Sequence, residues 1–331
     1  MKTSSLPSLV QRFFTQRMLE QQGLSSHTVA SYRDTFRLLL AFAAQHIGHA
    51  PSKLQMEELD VSFIEKFLRH LEQGRGNSVR TRNTRLAAVH AFFQFVAICE
   101  PALCLQCQRI LAIPSKRCEH GPVEFLTEEE AAALVAAPDA RTWIGNRDRT
   151  LLLVAVQTGL RNSELTSLRR QDVAFGTGAH VRCLGKGRKM RCTPLRSDVI
   201  AVLKEWLLRQ SGEPGDPVFP SSRGGHLSAD ALQRLVSRHV ATACRTCPSL
   251  KEKSITPHTL RHAAAMSLLQ HGVDLSVIAL WLGHASTETT QIYLHADMRL
   301  KESALAHANP SGVAPTRYKP PDPLLAFLEG I

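Results

Sequence analysis

The sequence predicts a mainly α protein with a small antiparallel β-sheet, in which a helical N-terminal domain precedes a mixed α+β domain. The chain has 331 residues, which is enough for two domains of ordinary size. Apolar residues recur at helical spacing over most of the chain, whereas residues 181–184 and 189–193 favour strands. The turn at residues 185–188 joins these two strands, so we expect a hairpin.

Residues 6–98 are predicted to be helical with short connections. The first helix carries an apolar stripe that includes Leu9, Phe13 and Leu19. A serine N-cap at residues 25–26 begins the second helix, in which Tyr32 is expected to be a core residue. A third helix is expected at residues 61–71, and a fourth follows the glycine-rich turn at residues 74–77.

Four arginines lie around the start of this fourth helix: Arg75, Arg80, Arg82 and Arg85. Guanidinium groups at a helix entry suit contacts with DNA phosphates, and one or two of them could reach base edges. The alternative is a solvated helix face without a partner.

The domain boundaries follow from composition. We expect a helical domain at residues 1–111, a linker rich in proline and charge at residues 112–124, and a second domain at residues 125–308. A capping box at Thr127 and Glu130 begins the first helix of that second domain. Residues 309–323 contain five prolines and lead to an apolar segment at residues 324–328. That segment docks either on its own chain or on a neighbouring subunit.

The second domain is predicted to hold several further helices. A helical segment at residues 151–157 ends at Gly159, and a short helix follows at residues 160–168. The later helices are expected at about residues 196–209, 228–243, 257–271, 275–282 and 287–295.

The charge balance favours a polyanionic partner. The formal net charge is +11 and the pI is about 9.5, with basic residues in excess in both domains. Nucleic acid is the first candidate and an anionic membrane surface the second. No apolar run is long enough to span a bilayer, and the N-terminus lacks a signal-peptide core. We therefore expect a cytoplasmic, nucleoid-associated protein with no membrane partner.

Two C-x-x-C pairs occur, at Cys104/Cys107 and at Cys244/Cys247. Zinc binding is one interpretation of the first pair. Its further candidate ligands are Cys99, Cys118 and His120. The pairs are too far apart to form one four-cysteine site, and the simpler interpretation is that these are reduced cysteines in and around helices. We expect neither a metal nor a cofactor.

The segment Thr256-Pro257-His258-Thr259-Leu260-Arg261 predicts an anion site at a helix N-terminus. Thr256 is the expected N-cap, with Pro257 in the first turn. A spacing of three places His258 and Arg261 on one helix face. The free N–H groups and the helix dipole favour an anion there, so we interpret the pair as phosphate-binding.

Arg161 and Glu164, nearer the N-terminus, form a second candidate phosphate-binding pair at the start of a helix. Gly159 ends one helix, and Arg161 begins the next with Glu164 one turn later. A carboxylate beside the guanidinium could hold it while it binds two phosphate oxygens. Taken alone, such a pair is equally typical of an exposed helix surface.

The predicted hairpin is basic. Its charged residues are Arg182, Lys186, Arg188, Lys189 and Arg191, and all of them except Lys186 are expected to contact nucleic acid. Lys186 lies at the tip, where it could enter a minor groove and donate a proton to a leaving oxygen. A simple phosphate-binding loop is the alternative.

Tyr293 follows His284 by nine residues and completes a set of six. In chain order the set is Arg161, Lys186, His258, Arg261, His284 and Tyr293. This set resembles the tyrosine recombinase family of phage integrases, Xer recombinases and transposon recombinases. The resemblance is strong over residues 125–297, and the N-terminal region resembles the core-binding domain of that family more loosely. It implies a helical core-binding domain followed by a mixed α+β catalytic domain.

The resemblance also implies a mechanism without metal or ATP. Tyr293 would attack the scissile phosphorus and form a 3′-phosphotyrosine, while Arg161 and Arg261 neutralise the non-bridging oxygens. His284 would donate a hydrogen bond to the phosphate. His258 would act as general base and Lys186 as general acid. Supporting positions beside these groups are expected for Glu164 and His262. The competing tyrosine nucleophile is Tyr318.

The implied partners are double-stranded DNA target sites and further recombinase subunits. The resemblance suggests a tetramer on DNA that exchanges C-terminal segments, with integration, excision or transposition of a mobile element as the outcome. Three alternatives stay open at this point. They are a metal-dependent phosphodiesterase, a sequence-specific DNA-binding protein with an inactive site, and a type IB topoisomerase.

Overall fold

The computed structural model describes residues 4–118, 123–185, 190–284 and 290–293. The chain divides into two compact units, Met1–His120 and Gly121–Ile331, which we call the N-terminal and C-terminal units. The described residues form helices and one three-stranded antiparallel sheet, which confirms the predicted fold class. No described helix is long and apolar enough to cross a membrane.

The N-terminal unit is a set of helices around an apolar core. Its elements are α1 (Leu6–Arg12), continued by a π-helical segment (Phe13–Gln21), α2 (Ser26–Ile47), α3 (Val61–Arg69), continued by a second π-helical segment (His70–Gly74), α4 (Val79–Cys99) and α5 (Cys104–Leu111). The rings of Phe13, Phe36 and Phe92 meet at its centre with centroids 5.0 to 6.0 Å apart. As predicted, Ser25 caps α2 by accepting a hydrogen bond from the backbone N–H of Thr28.

Two features of this unit differ from the prediction. Leu19 is 52% exposed, so its place in the apolar stripe was wrong. A π-helical turn contains more residues than an α-helical turn, so the stripe rotates and Met18 is the buried residue instead. Helix α5, which carries Cys104 and Cys107, was not predicted. Tyr32 is partly buried against the core, as expected of a core residue.

The beginning of the predicted linker packs on the N-terminal unit. Ile113 is buried in the core of this unit. The carbonyl of Pro114 accepts a hydrogen bond from Arg82, and Lys116 forms an ion pair with Glu72. The side-chain amide of Asn83 donates a hydrogen bond to the carbonyl of Lys116 and accepts one from the backbone N–H of Lys116. Residues 113–116 are therefore held by specific contacts.

The C-terminal unit combines helices with the small sheet. Its elements are α6 (Glu128–Ala136), α7 (Trp143–Thr158), α8 (Asn162–Ser167), β1 (Val173–Ala174), β2 (His180–Leu184), β3 (Met190–Pro194), α9 (Ser197–Leu208), α10 (Ala229–Ala243), α11 (Pro257–Gln270) and α12 (Leu275–Leu282). The strand order is β1-β2-β3, and Cys183 of β2 pairs with Arg191 of β3. The predicted capping box at Thr127 and Glu130 is confirmed.

The main differences here are a third strand and a longer α7. Strand β1 was not predicted, and α7 begins at Trp143 rather than near residue 151. The first half of α7 is polar in sequence, yet Asp148 is completely buried. Its carboxylate accepts hydrogen bonds from Arg147 of the same helix and from Arg238 and His239 of α10. These partners satisfy the buried charge and fix α7 on α10. Of the last predicted helix, residues 290–293 are described and are helical.

Candidate active site

The side chain of Arg261 links the N-terminal part of α11 to the C-terminal ends of α7 and α12. It lies one turn into α11, which Thr256 caps as predicted. Its Nη1 donates to the carbonyl of Gly159 at 2.7 Å, and its Nη2 donates to the carbonyl of Leu282 at 2.6 Å. These carbonyls belong to the C-terminal ends of α7 and α12. Burial, together with the positive charges of Arg161 and Arg191, lowers the pKa of Arg261 to about 10.

Glycine at position 159 permits this close approach. Gly159 ends α7 in the left-handed region, with φ of 63°. A Cβ atom there would lie 2.7 Å from Leu282 Cδ2 and 3.1 Å from Ala264 Cβ. The missing side chain thus lets α11 and α12 pack directly on the end of α7.

Arg161 and Arg191 share one buried carboxylate, that of Glu164. Arg161 Nη1 lies 2.9 Å from Glu164 Oε1, and Arg191 donates to both carboxylate oxygens at 2.7 and 2.8 Å. The backbone N–H of Arg161 also donates to Glu164, at 2.7 Å. Burial alone would raise the pKa of the Glu164 carboxyl. The hydrogen bonds from Arg191 and Arg161 outweigh burial and hold this pKa below its usual range.

The three arginines leave a concentrated positive charge beside Gly283. Arg161 Nη2 donates to the carbonyl of Gly283 at 2.7 Å, and its side chain stays 25% exposed. One carboxylate faces three guanidinium groups, so the cluster carries an excess of positive charge. This arrangement fits a phosphodiester, whose oxygens accept hydrogen bonds from fixed guanidinium groups.

His284 lies next to this cluster. Its Nδ1 and the hydroxyl of Thr290 are 2.8 Å apart, which fixes the orientation of the ring. Burial, together with the positive charges of Arg261 and Arg161, lowers the pKa of His284 to about 4. The imidazole is therefore neutral near pH 7.

Tyr293 is buried in the same region. Its side chain is 1% exposed and packs on a small apolar cluster from α11 and α12 that includes Met266, Ile278 and Leu282. Burial raises the pKa of the phenol, whereas the charge of Arg261 acts in the opposite direction. The hydroxyl lies 2.9 Å from Nδ1 of His262. The structure thus brings Tyr293, Arg161, Arg261, His284 and Glu164 into one site.

Other predicted site residues are placed differently. His258 is exposed at the start of α11, and no described side chain forms a hydrogen bond with its ring. Lys186, Arg188, Lys189, Tyr318 and the C-terminal segment lie outside the described residues. Arg182 is exposed on β2 and donates to the carbonyl of Gln171.

The four arginines near α4 separate into two groups. Arg75 and Arg80 are exposed. Arg82 is 6% exposed and donates to the carbonyl of Pro114, so in this conformation it is not available to a phosphate. Arg85 is partly buried, and burial, with the nearby charge of Arg75, lowers its pKa. Two of its guanidinium nitrogens are buried without a hydrogen-bond partner among the described residues.

The described parts of the chain bring no three His, Cys, Asp or Glu side chains together as a metal site. Cys104 and Cys107 lie on α5, and Cys244 and Cys247 lie at and just beyond the end of α10. Two further residues belong to this site: Arg191, which the sequence placed among the nucleic-acid contacts, and Thr290, which it did not single out. The feature that could have revealed the role of Arg191 is its position on β3, directly opposite the buried Cys183 of β2.

Two protein-family models match this chain, and two curated relatives are similar to it over nearly its whole length. The model of the phage integrase family matches residues 124–299, and that of the phage integrase N-terminal SAM-like domain matches residues 10–98. The putative integrase/recombinase y4rC of Sinorhizobium fredii is 52% identical over 331 residues, covering 100% of this chain and 99% of that protein. The tyrosine recombinase XerC of Pelobacter propionicus is 32% identical over 307 residues, covering 92% and 96%.

Solved structures share the fold. The XerH site-specific recombinase in a pre-cleavage complex with its difH substrate superposes with a TM-score of 0.62 at 24% identity, covering 84% of this chain and 79% of that one. The Tn1549 transposon integrase in complex with a circular-intermediate DNA gives a TM-score of 0.66 at 15% identity, covering 90% and 99%.

Proposed function

The chain belongs to the phage integrase family of tyrosine recombinases, and we propose that it cleaves and rejoins DNA at specific sites through a 3′-phosphotyrosine. One observation carries this proposal. Arg161, Arg261, His284 and Tyr293 come from separate segments of the chain and converge on one small region. A phenol beside fixed guanidinium groups is the arrangement that phosphoryl transfer to tyrosine needs.

The arginines supply the electrostatic part of the mechanism. Negative charge grows on the non-bridging oxygens as the phosphorus becomes five-coordinate, and Arg161 and Arg261 stabilise that charge. Glu164 and the carbonyls at positions 159, 282 and 283 hold both guanidinium groups in place before DNA binds. His284 presents Nε2 to a phosphate oxygen while Thr290 holds Nδ1. Exposed at the helix N-terminus, His258 is suited to a phosphate contact.

The covalent step exchanges one phosphoester for another. The Tyr293 oxygen forms a bond to phosphorus as the bond from phosphorus to the 5′-oxygen breaks, and Lys186 gives that oxygen a proton. A 5′-hydroxyl from another strand reverses the step, so the energy of the bond is kept and ATP is not required. These residues need no metal ion for the reaction.

We assign DNA contacts to both units. In the N-terminal unit Arg75, Arg80 and Arg85 are the candidates, and in the C-terminal unit the candidates are the basic hairpin residues Arg182, Arg188 and Lys189. Arg191 supports Glu164 instead. Similarity to a protein named integrase/recombinase favours integration, excision or transposition of a mobile element as the biological role.

Assembly on DNA is proposed to be a tetramer that exchanges C-terminal segments. A half-open groove of about 760 Å³ lies between α6, α7 and α11, with apolar walls that include Val135, Leu153 and Leu268. The segment at residues 324–328 is apolar and of suitable size for this groove. Arg149, which also lines the groove, complements the charge of Glu329. We propose that the segment of a neighbouring subunit occupies the groove.

Covalent trapping tests the enzymatic proposal. The protein is incubated in chelator with nicked suicide duplexes made from the DNA that flanks its gene, and denaturing gels reveal a protein–DNA adduct. We expect an adduct with the wild type and with Tyr318→Phe, and none with Tyr293→Phe. Binding without an adduct would favour the inactive DNA-binding protein, and loss of activity in chelator would favour a metal-dependent phosphodiesterase. Relaxation of supercoils at many sequences by a monomer would favour a topoisomerase.

Removal of residues 324–331 tests the assembly. We expect this truncated protein to lose complete strand exchange between two sites. It should still form an adduct on a single half-site, because the residues assigned to cleavage are retained. Four subunits on DNA in sedimentation experiments with the truncated protein would contradict the exchange proposal.

A further inference from the structure

We propose that His262 is a further catalytic residue of this site, in which Nδ1 of its ring takes the proton of Tyr293 as the phenol attacks DNA. This inference rests on the proposed function. It follows from a direct contact, since Nδ1 of His262 and the hydroxyl oxygen of Tyr293 are 2.9 Å apart. The two rings meet edge to face, with centroids 5.6 Å apart and an angle of 61° between the planes. A proton acceptor must lie within such a distance of the atom that it deprotonates.

The surroundings of Tyr293 make a protein acceptor necessary. The side chain is 1% exposed, so bulk water has little access to the phenol. Burial also raises the pKa of Tyr293, and the phenol therefore stays protonated at neutral pH in the free protein. A buried phenol that attacks phosphorus has to pass its proton to a neighbouring group, and the ring of His262 is in contact with it.

The position of His262 is fixed by the same helix that supplies Arg261. Both residues lie in the second turn of α11, and the following residues Ala263, Ala264 and Ala265 are buried. Arg261 is held by two backbone carbonyls. A rigid, packed helix thus places a phosphate ligand and a proton acceptor at consecutive positions.

The ring is in the protonation state that an acceptor needs. Burial, together with the neighbouring His258 and Arg261, lowers the pKa of His262 to about 4. The imidazole is therefore neutral near pH 7 and keeps a lone pair. A bound phosphodiester adds a negative charge next to Arg261, which offsets the positive charge there and makes the ring more basic. The acceptor consequently gains strength when DNA is in place.

His258 was the residue that the sequence favoured for this role. It lies one turn before His262 on α11, is exposed, and forms no hydrogen bond to a described side chain. His262 is the histidine whose ring reaches the phenol. We therefore assign the proton acceptor to His262 and keep His258 as a phosphate contact.

The proton and the electron pairs balance in both directions. During cleavage the proton moves from the phenol to Nδ1, the oxygen of Tyr293 bonds to phosphorus, and the 5′-oxygen leaves with a proton from Lys186. During rejoining the 5′-hydroxyl gives its proton back to Lys186 and attacks phosphorus. The phenolic oxygen leaves and recovers its proton from the imidazolium of His262.

The first test replaces His262 by asparagine, which keeps a polar atom near the position of Nδ1 but has no basic nitrogen. We expect single-turnover cleavage of a suicide duplex to slow by about 10²- to 10⁴-fold, the usual contribution of general base catalysis. The affinity for DNA should be unchanged. His271→Asn, at an exposed histidine just after α11, is the matched control and should cleave at the wild-type rate. Wild-type cleavage by His262→Asn would overturn the proposal.

A more acidic phenol at position 293 distinguishes the loss of a general base in His262→Asn from structural damage caused by that substitution. Incorporation of 3,5-difluorotyrosine at position 293 lowers the pKa of the phenol, so a base is needed less. We expect this replacement to restore most of the cleavage rate of His262→Asn and little of the rate of Arg261→Lys. If the fluorinated protein with asparagine at 262 stays as slow as before, His262 does not act as the base.

The wild-type ring can be observed without any substitution of His262. Nitrogen-15 spectra of labelled histidine should show His262 protonated on Nε2, with an unprotonated Nδ1 whose signal shifts in Tyr293→Phe. A hydrogen on Nδ1 at neutral pH would overturn the proposal, because that nitrogen would then donate to the phenol. Failure of the wild type to form an adduct on any duplex would instead remove the proposed function itself, and the spectra distinguish the two outcomes.

Discussion

Glutamine at position 164 would remove the charge that Arg161 and Arg191 share. The carboxylate is buried, with its side chain 4% exposed, and accepts four hydrogen bonds from these two residues. Removing one partner of a buried ion pair typically costs about 3–5 kcal/mol. Because glutamine keeps the shape and one acceptor oxygen, we expect the lower end, about 3 kcal/mol. For a domain of this size, that loss lowers the midpoint of thermal unfolding by about 6–12 °C.

Thermal unfolding and cleavage measure the effect of Glu164→Gln together. Burial opposes ionisation, but the arginine hydrogen bonds hold the pKa of Glu164 below its ordinary value. The unfolded chain therefore binds a proton more readily, and the stabilisation is present above the ordinary pKa of glutamate. The difference between wild type and variant should be full at pH 7 and should shrink as the pH falls through the lowered pKa. We also expect cleavage to slow by about 10²-fold because Arg161 is no longer held in place.

The matched control is Glu205→Gln, which breaks an ion pair with Arg209 in which both side chains are 60% exposed. Surface substitutions of this kind change stability by less than about 0.5 kcal/mol. Equal midpoints for the two variants at pH 7, with normal cleavage by Glu164→Gln, would refute the account of this cluster.

Two further substitutions test the packing that supports the site. Gly159→Ala should destabilise the protein by about 1–3 kcal/mol and slow cleavage, because its φ is positive and its Cβ would collide with Leu282. Gly48 also has a positive φ, but its added Cβ would meet open space, so Gly48→Ala should lower the free energy of unfolding by less in denaturant experiments. Equal losses of stability in the two variants would mean that the collision at Gly159 is unimportant. Asp148→Asn should cost about 3–5 kcal/mol, because it removes the negative charge that is paired with the buried guanidinium group of Arg147. A calorimetric midpoint no lower than that of the exposed Asp198→Asn would contradict this expectation.

Local signals predicted much of the fold. The caps at Ser25, Thr127 and Thr256 each accept the backbone hydrogen bond that their sequence context indicated. These signals involve residues three apart, so they can be recognised in a short stretch of sequence. The end of α7 at Gly159 was located for the same reason.

Contacts between distant residues were not predictable in this way. The polar start of α7 is stabilised by the contact of Asp148 with His239, which is 91 residues away. Arg191 was assigned to DNA because it is basic and lies in a hairpin, yet it pairs with Glu164, 27 residues away. Similarly, charge and spacing placed Arg82 among the DNA contacts, whereas its side chain reaches Pro114. A charged residue in the sequence indicates that a partner is needed, but it does not indicate which residue that partner is.

The candidate site, too, was predictable where a local motif sufficed and unpredictable where a contact between distant residues decided. Motif spacing brought Arg161, Arg261, His284 and Tyr293 into one hypothesis, and the structure places them together. Which histidine contacts the phenol depends on the path of the chain between α11 and residue 293. The sequence favoured His258 as the proton acceptor, whereas the geometry favours His262.

Identification of the residue that carries DNA is the most direct test of the account. The trapped adduct would be digested with nuclease and trypsin, and the remaining nucleotide located by tandem mass spectrometry. Trypsin releases Tyr293 in the peptide at residues 262–299, which contains no other tyrosine. We predict a 3′-linked nucleotide on Tyr293 of this peptide. A nucleotide on Tyr318 or on another residue would contradict the assignment of the nucleophile and of the site built around it.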